Sequence, residues 1–143
     1  MRARVIIYNP KLDSILLIHR KKNGRDYWVI PGGGAKGAET PIQTAIREIE
    51  EELGLIFSSQ ELFGIFEMGK EAEIQKIFFA ESSIVRAPSI SGEELNRSNK
   101  NNIYIPTWVN LNVIPTINLL PIEGKIKLQH YLYSLENGKN KNR

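Results

Sequence analysis

Apolar and polar positions divide the chain into short runs. Residues 2–8 (RARVIIY) and 14–20 (SILLIHR) are rich in β-branched and aliphatic side chains, the make-up of buried strands. The turn cluster Asn9-Pro10-Lys11-Leu12-Asp13 separates them, so together they predict a hairpin-like pair. A polar turn, KKNGRD, leads to a short strand at residues 27–30, stopped by Pro31 and three glycines, a run that lets the backbone approach a ligand closely and adopt positive φ where required. Residues 61–68 and 73–81 predict two more strands joined through Gly69-Lys70, and residues 103–109 another.

Two segments carry a helical period. Thr40 is placed to cap a helix whose first position is Pro41, where the missing N–H costs nothing, and Gln43 completes a capping box. Gly54 suits the left-handed cap after Leu53. Near the end, Ile122, Ile126, Leu128, Leu132 and Leu135 approximate a second helical stripe over residues 121–135. Residues 87–102 (APSISGEELNRSNKNN) have turn composition without periodicity and predict a long loop, a type of segment that is often functional. Strands alternating with helices predict an α/β fold, a mixed sheet sandwiched by helices, in one domain over residues 1–136 followed by a disordered basic tail at 137–143.

Composition narrows the function classes. With 41% apolar and 24% charged residues the chain matches a globular domain rather than a disordered one. It has no cysteine, which excludes disulfides and thiolate metal sites. The opening residues lack an apolar stretch of signal or membrane length, so no membrane partner and a cytoplasmic location are expected. The net charge of +3 owes much to the final GKNKNR. No basic stripe with interleaved aromatics is present, and no nucleic-acid partner is expected.

The chemistry concentrates in the first helix. Glu48, Glu51 and Glu52 fall at i, i+3 and i+4, an arc of roughly 100° at about 100° per residue. Ile42, Ala45, Ile46, Ile49 and Leu53 occupy a neighbouring arc. Like charges at that spacing cost a few tenths of a kcal/mol per pair, which predicts a compensating cation. Carboxylate oxygens favour Mg²⁺ or Mn²⁺, and Arg47 is placed to orient a glutamate by a bidentate contact.

The segment from Gly33 to Leu55 resembles the Nudix box, G-x5-E-x7-R-E-U-x-E-E-x-G-U with U aliphatic. Gly33, Glu39, Arg47, Glu48, Ile49, Glu51, Glu52, Gly54 and Leu55 fill every fixed position, a coincidence on the order of 10⁻¹⁰ per starting point at ordinary residue frequencies. The resemblance implies an α/β/α sandwich and a hydrolase that cuts a phosphoanhydride in a nucleoside diphosphate linked to another group. It implies Mg²⁺ or Mn²⁺ held by Glu48, Glu51, Glu52 and the Gly32 carbonyl, with Arg47 holding the cluster and Glu39 as an accessory carboxylate. A general base from a loop outside the box is expected at Glu93 or Glu94, with Glu71 and Glu73 as weaker alternatives.

Substrate recognition is less legible. Tyr27, Trp28 and Phe66 are candidates to stack on a base, and Arg4, Arg20, Arg25 and Lys76 to meet phosphate. His19 and His130 read as structural or solvent-facing. The proline, tyrosine and extended motifs that mark the family's ADP-ribose, dinucleoside polyphosphate, NADH and coenzyme A branches are missing. Nucleoside triphosphates, oxidised ones included, are therefore the expected substrates. The alternatives are ADP-ribose, nucleotide sugars, dinucleoside polyphosphates, or a non-catalytic nucleotide-sensing role. Relatives also make a homodimer an expectation.

Overall fold

The computed structural model describes residues 1–84 and 102–141, with side chains as far as residue 137. Among these, strands β1 (Arg2–Asn9), β2 (Ser14–Lys22), β3 (Arg25–Val29) and β4 (Gly32–Gly34) precede helix α1 (Pro41–Leu53). Strands β5 (Phe63–Met68), β6 (Gln75–Glu81) and β7 (Asn102–Asn110) follow, and helix α2 (Ile122–Lys141) is the last of the described elements.

β1 and β2 do form a hairpin, but they pair only beside its turn, at Tyr8↔Ile15 and Asn9↔Ser14. Beyond it the strands part. β1 runs parallel to β6 from Arg2 to Tyr8, while β2 pairs antiparallel with β7 along Ser14–Lys22. The reason lies in burial: Val5, Ile6 and Ile7 are all fully buried. A strand apolar on both faces must sit inside a sheet covered on both sides. The result is a mixed sheet, β3-β2-β1-β6-β5, with β4 added to β1 and β7 to β2.

One layer of core lies between the sheet and α1, where Ala45, Ile49 and Leu53 pack on Ala3, Val5, Ile7, Leu16 and Ile18. The alternate residues, Ile6, Ile15, Leu17, Ile30 and Ile77, face away from α1 and bury Leu128 of α2. α2 comes close to β5 because Gly124 has no side chain. A Cβ there would lie 2.9 Å from Met68 Sδ.

The glycine run forms strand β4, antiparallel to β1 through Arg2↔Gly34, Ala3↔Gly33 and Arg4↔Gly32. Glycine permits this close approach, since a Cβ on Gly32 would stand 2.6 Å from Arg4 Cα, and the Gly32 φ of 148° is one that side chains rarely allow.

Smaller differences are boundary shifts. β3 begins at Arg25 rather than Tyr27, and β5 and β6 begin at Phe63 and Gln75 because Ser59–Glu61 and Glu71–Glu73 form 3₁₀ turns. The expected loop over residues 87–102 falls almost wholly outside the described residues. α2 runs on to Lys141, into the segment expected as a polar tail. No helix among the described residues is long and apolar enough to cross a membrane.

Candidate active site

α1 forms as its termini dictate. Thr40 Oγ1 accepts from the Gln43 N–H at 3.3 Å, and Gln43 Oε1 accepts from the Thr40 N–H at 3.0 Å. At the far end Gly54 takes φ 68° and donates to Glu50 O. The apolar stripe then fixes the rotation of the helix, which turns its glutamates toward β4.

The edge of β4 that faces away from β1 forms the floor of the site. Val5 N–H donates to Pro31 O and Ala35 N–H to Met1 O, both at 3.0 Å. With the Ala3↔Gly33 register, this alternation directs the Gly33 polar groups to β1 and those of Gly32 and Gly34 outward. The contacts agree: the Gly32 N–H donates to Glu52 Oε2 at 3.2 Å, and Gly34 O accepts from Arg47 Nη2 at 2.9 Å. Because a trans peptide sets each C=O opposite the following N–H, the Gly32 carbonyl faces outward too. Glu48 lies directly on Gly33, where a Cβ would be 2.6 Å from Oε2.

Arg47 organises the acids around it. Its Nε and Nη2 grip Glu39 at 2.7 and 2.9 Å, and Nη1 reaches Glu48 at 3.1 Å and Glu51 at 3.0 Å. Glu39 also accepts from the Lys36 N–H at 2.7 Å and the Thr44 hydroxyl at 3.3 Å. The Arg47 hydrogen bond, then that from Lys36, holds the Glu39 carboxyl down at about 2. In return Glu39 pushes the guanidinium pKa up.

Glu52 stands apart from this clamp. It is 5% exposed, a rare setting for a carboxylate. Its Oε1 accepts from the Tyr104 hydroxyl at 2.9 Å, within the core. Tyr104 in turn lies 4.8 Å beneath the Arg20 guanidinium, which also sits 5.7 Å from the Tyr27 ring. Tyr104 carries no signal in the sequence, because its place beside the site depends on the register of β7 opposite Arg20.

The other candidates scatter. Tyr27 lies on the α1 side of the sheet with Arg20, and Arg25 is 5.3 Å from its ring. Trp28 and Phe66 pack into the core on the α2 side, away from the glutamates. Trp28 stacks on His19 at 4.2 Å, and His19 Nε2 meets Asp26 at 2.6 Å, so His19 has a packing role. Arg4 points to the α2 side and donates to Gln75 at 2.6 Å and to Ile30 O at 2.7 Å; burial lowers its pKa. Lys76 pairs with Glu67 at 2.8 Å. Glu73, with Gly34 and Ala35, lines a cleft of about 460 Å³, while Glu71 lies exposed on its turn. Glu93 and Glu94 lie outside the described residues.

Among the described residues no three acidic or histidine side chains already gather as a metal cage. Glu48 and Glu51 lean toward Arg47, whereas Glu52 lies against Gly32 and Tyr104. Even so, the donor set suits a hard cation. Glu48 and Glu52 both abut the Gly32–Gly33 backbone, where the outward Gly32 carbonyl adds a third oxygen. An oxygen-only set of this kind fits Mg²⁺ or Mn²⁺.

Comparison with known proteins bears on the family and the fold. The family model described as the NUDIX domain matches residues 1–125. Mouse diphosphoinositol polyphosphate phosphohydrolase 3-alpha is 28% identical over 78 residues, 54% of this chain, and the chain covers 48% of its length. The Nudix hydrolase YvcI of Bacillus subtilis is 26% identical over 118 residues, 80% of this chain and 69% of its own. In structure, an Ap4A hydrolase of C. elegans superposes with a TM-score of 0.69 at 19% identity, covering 96% of this chain and 99% of that one. MutT studied from Aliivibrio salmonicida and Vibrio cholerae gives 0.65 at 18% identity, covering 94% and 96%. At these identities the structural likenesses speak to the fold.

Proposed function

The chain belongs to the NUDIX domain family, and on that footing we propose that it is a metal-dependent pyrophosphohydrolase acting on a nucleoside triphosphate or a modified (d)NTP. The observation that carries the reading is the convergence of Glu48 and Glu52 on the Gly32–Gly33 backbone, beside an arginine that gathers Glu39, Glu48 and Glu51.

Each residue has a part in the proposal. Glu48, Glu51, Glu52 and the Gly32 carbonyl would hold Mg²⁺ or Mn²⁺, which supplies Lewis acidity toward the phosphate oxygens when bound. Arg47 aligns Glu48 and Glu51 and balances their charge. Glu39, kept ionised, anchors Arg47. Glu93 or Glu94 would take the proton of the attacking water, so no covalent nucleophile is required. On the substrate side, Tyr27 with Arg20 offers an aromatic and cationic surface on the carboxylate face of the sheet.

A second substrate reading has its own support: relatives that align with this chain are named diphosphoinositol polyphosphate phosphohydrolases. The diphosphate of an inositol polyphosphate presents the same anhydride with a denser charge. Incubation with Mg²⁺ or Mn²⁺ and a panel of nucleoside triphosphates, ADP-ribose, nucleotide sugars, dinucleoside polyphosphates and diphosphoinositol polyphosphates, with products weighed by mass spectrometry, separates the two. Release of nucleoside monophosphate and pyrophosphate supports the first reading. Cleavage of the inositol compound alone supports the second, and no cleavage under either metal overturns both.

A further inference from the structure

We propose that Arg20, Lys22 and Arg25 form a second anion subsite, which receives a phosphate group of the substrate outside the anhydride that is cut. It rests on the hydrolase reading of the neighbouring carboxylates.

Strand pairing builds the subsite. Register sets Arg20 opposite both Tyr27 and Tyr104, and Lys22 opposite both Arg25 and Asn102. Alternation along β2 puts Arg20 and Lys22 on the face where α1 packs against Leu16 and Ile18. Arg25 shares that face, with its guanidinium 5.3 Å from the Tyr27 ring. Asp26, the one acid of the β2–β3 hairpin, falls on the other face, where it meets His19 at 2.6 Å and Lys21 at 3.8 Å. Cations therefore gather on the α1 face: among the described residues no carboxylate pairs with Arg20, Lys22 or Arg25.

Two features point to a ligand. Lys22 and Arg25 stand directly opposite each other, and like charges so placed destabilise a strand pair. A bound phosphate removes that cost. Arg20 lacks partners instead: its Nε is buried without one, and its hydrogen bond to Asn102 is long at 3.4 Å. The Tyr27 and Tyr104 rings, at 5.7 and 4.8 Å, fix the plane of its guanidinium, whose N–H fork suits phosphate oxygens.

Position gives the subsite its part in the reaction. The Tyr104 hydroxyl reaches Glu52 at 2.9 Å, so the row begins one side chain away from the proposed metal ligands, on the same face of the sheet. A substrate gripped at its diphosphate lays its next phosphate along this row. That group comes from the end of a linear triphosphate or from the ring of an inositol polyphosphate.

Lys22→Gln with Arg25→Gln removes two exposed cations and should leave the melting temperature unchanged or raised. Isothermal titration calorimetry of metal-free protein with inorganic tripolyphosphate and with inositol hexakisphosphate reads the subsite without catalysis. Affinity is expected to fall about 5–10-fold in the double variant, the scale of two exposed ion pairs. A loss confined to one probe identifies the source, linear chain or ring. Equal affinities in wild type and variant overturn the subsite, as does binding of neither probe by wild type. The same loss in Lys11→Gln with Lys70→Gln, which removes equal charge away from the row, overturns it too. None of these outcomes touches the hydrolase reading, which stands or falls on turnover by the wild-type protein.

Discussion

Gly33 lies under the Glu48 carboxylate so closely that a single added carbon would stand 2.6 Å from Oε2. Glycine is required here for contact with a neighbour rather than for an unusual backbone angle. The Gly33→Ala variant is therefore expected to drive Glu48 out of its place on β4. Overpacking of this kind costs about 1–3 kcal/mol, seen as a lower urea midpoint, and turnover should fall at least about 10-fold if Glu48 holds the metal as proposed. Unchanged activity in a destabilised variant would separate Glu48 from the chemistry.

Glu52→Gln tests charge without shape. The side chain is 5% exposed and held at both oxygens, so the isosteric amide should leave the circular dichroism spectrum unchanged. If Glu52 is a metal ligand, turnover should fall by more than the roughly 100-fold that loss of a supporting residue costs. Steady-state kinetics with Mg²⁺ in excess reads the effect, and a variant within a few-fold of wild type would remove Glu52 from the site.

Much of this was legible in the sequence, and the boundary of legibility is physical. α1 was readable to the residue because Thr40, Pro41, Gln43 and Gly54 act within one turn of themselves. The family spacing named Arg47 and its acids because all but Glu39 lie on one helix. Partners across the sheet were not readable. Nothing local tells that β1 leaves β2 for β6, or that Gly32–Gly34 pairs as a strand. Tyr104 meets Glu52 only through that long-range register. Trp28 and Phe66 are separated from the glutamates by alternation, which puts them on the α2 face.

Arg47→Lys keeps the charge and removes the fork. Lysine cannot grip Glu39 with two nitrogens while also reaching Glu48, Glu51 and Gly34 O, as Arg47 does. The expected result is a melting temperature lowered by a few degrees and kcat reduced about 10–100-fold, the usual effect of losing a group that orients ligands. Differential scanning calorimetry and kinetics on one preparation check both, and a kcat equal to wild type would show that a point charge is enough.

The Glu39 clamp also sets an acid limit on stability. Its carboxyl titrates at about 2 in the folded chain against an ordinary 4.5, chiefly through the Arg47 hydrogen bond and then that from Lys36. Between these values the unfolded chain binds the proton and the folded chain does not, so stability must rise with pH there. The contribution is complete above pH 4.5 and is lost as the pH falls toward 2. Urea unfolding of metal-free protein at several pH values across that interval should show a steeper loss for wild type than for Glu39→Gln, which has no carboxyl to protonate at this position. The two curves should converge at the acid end, where wild type too has a neutral side chain beside Arg47. Parallel curves throughout would mean that Arg47 holds Glu39 no more tightly than water does.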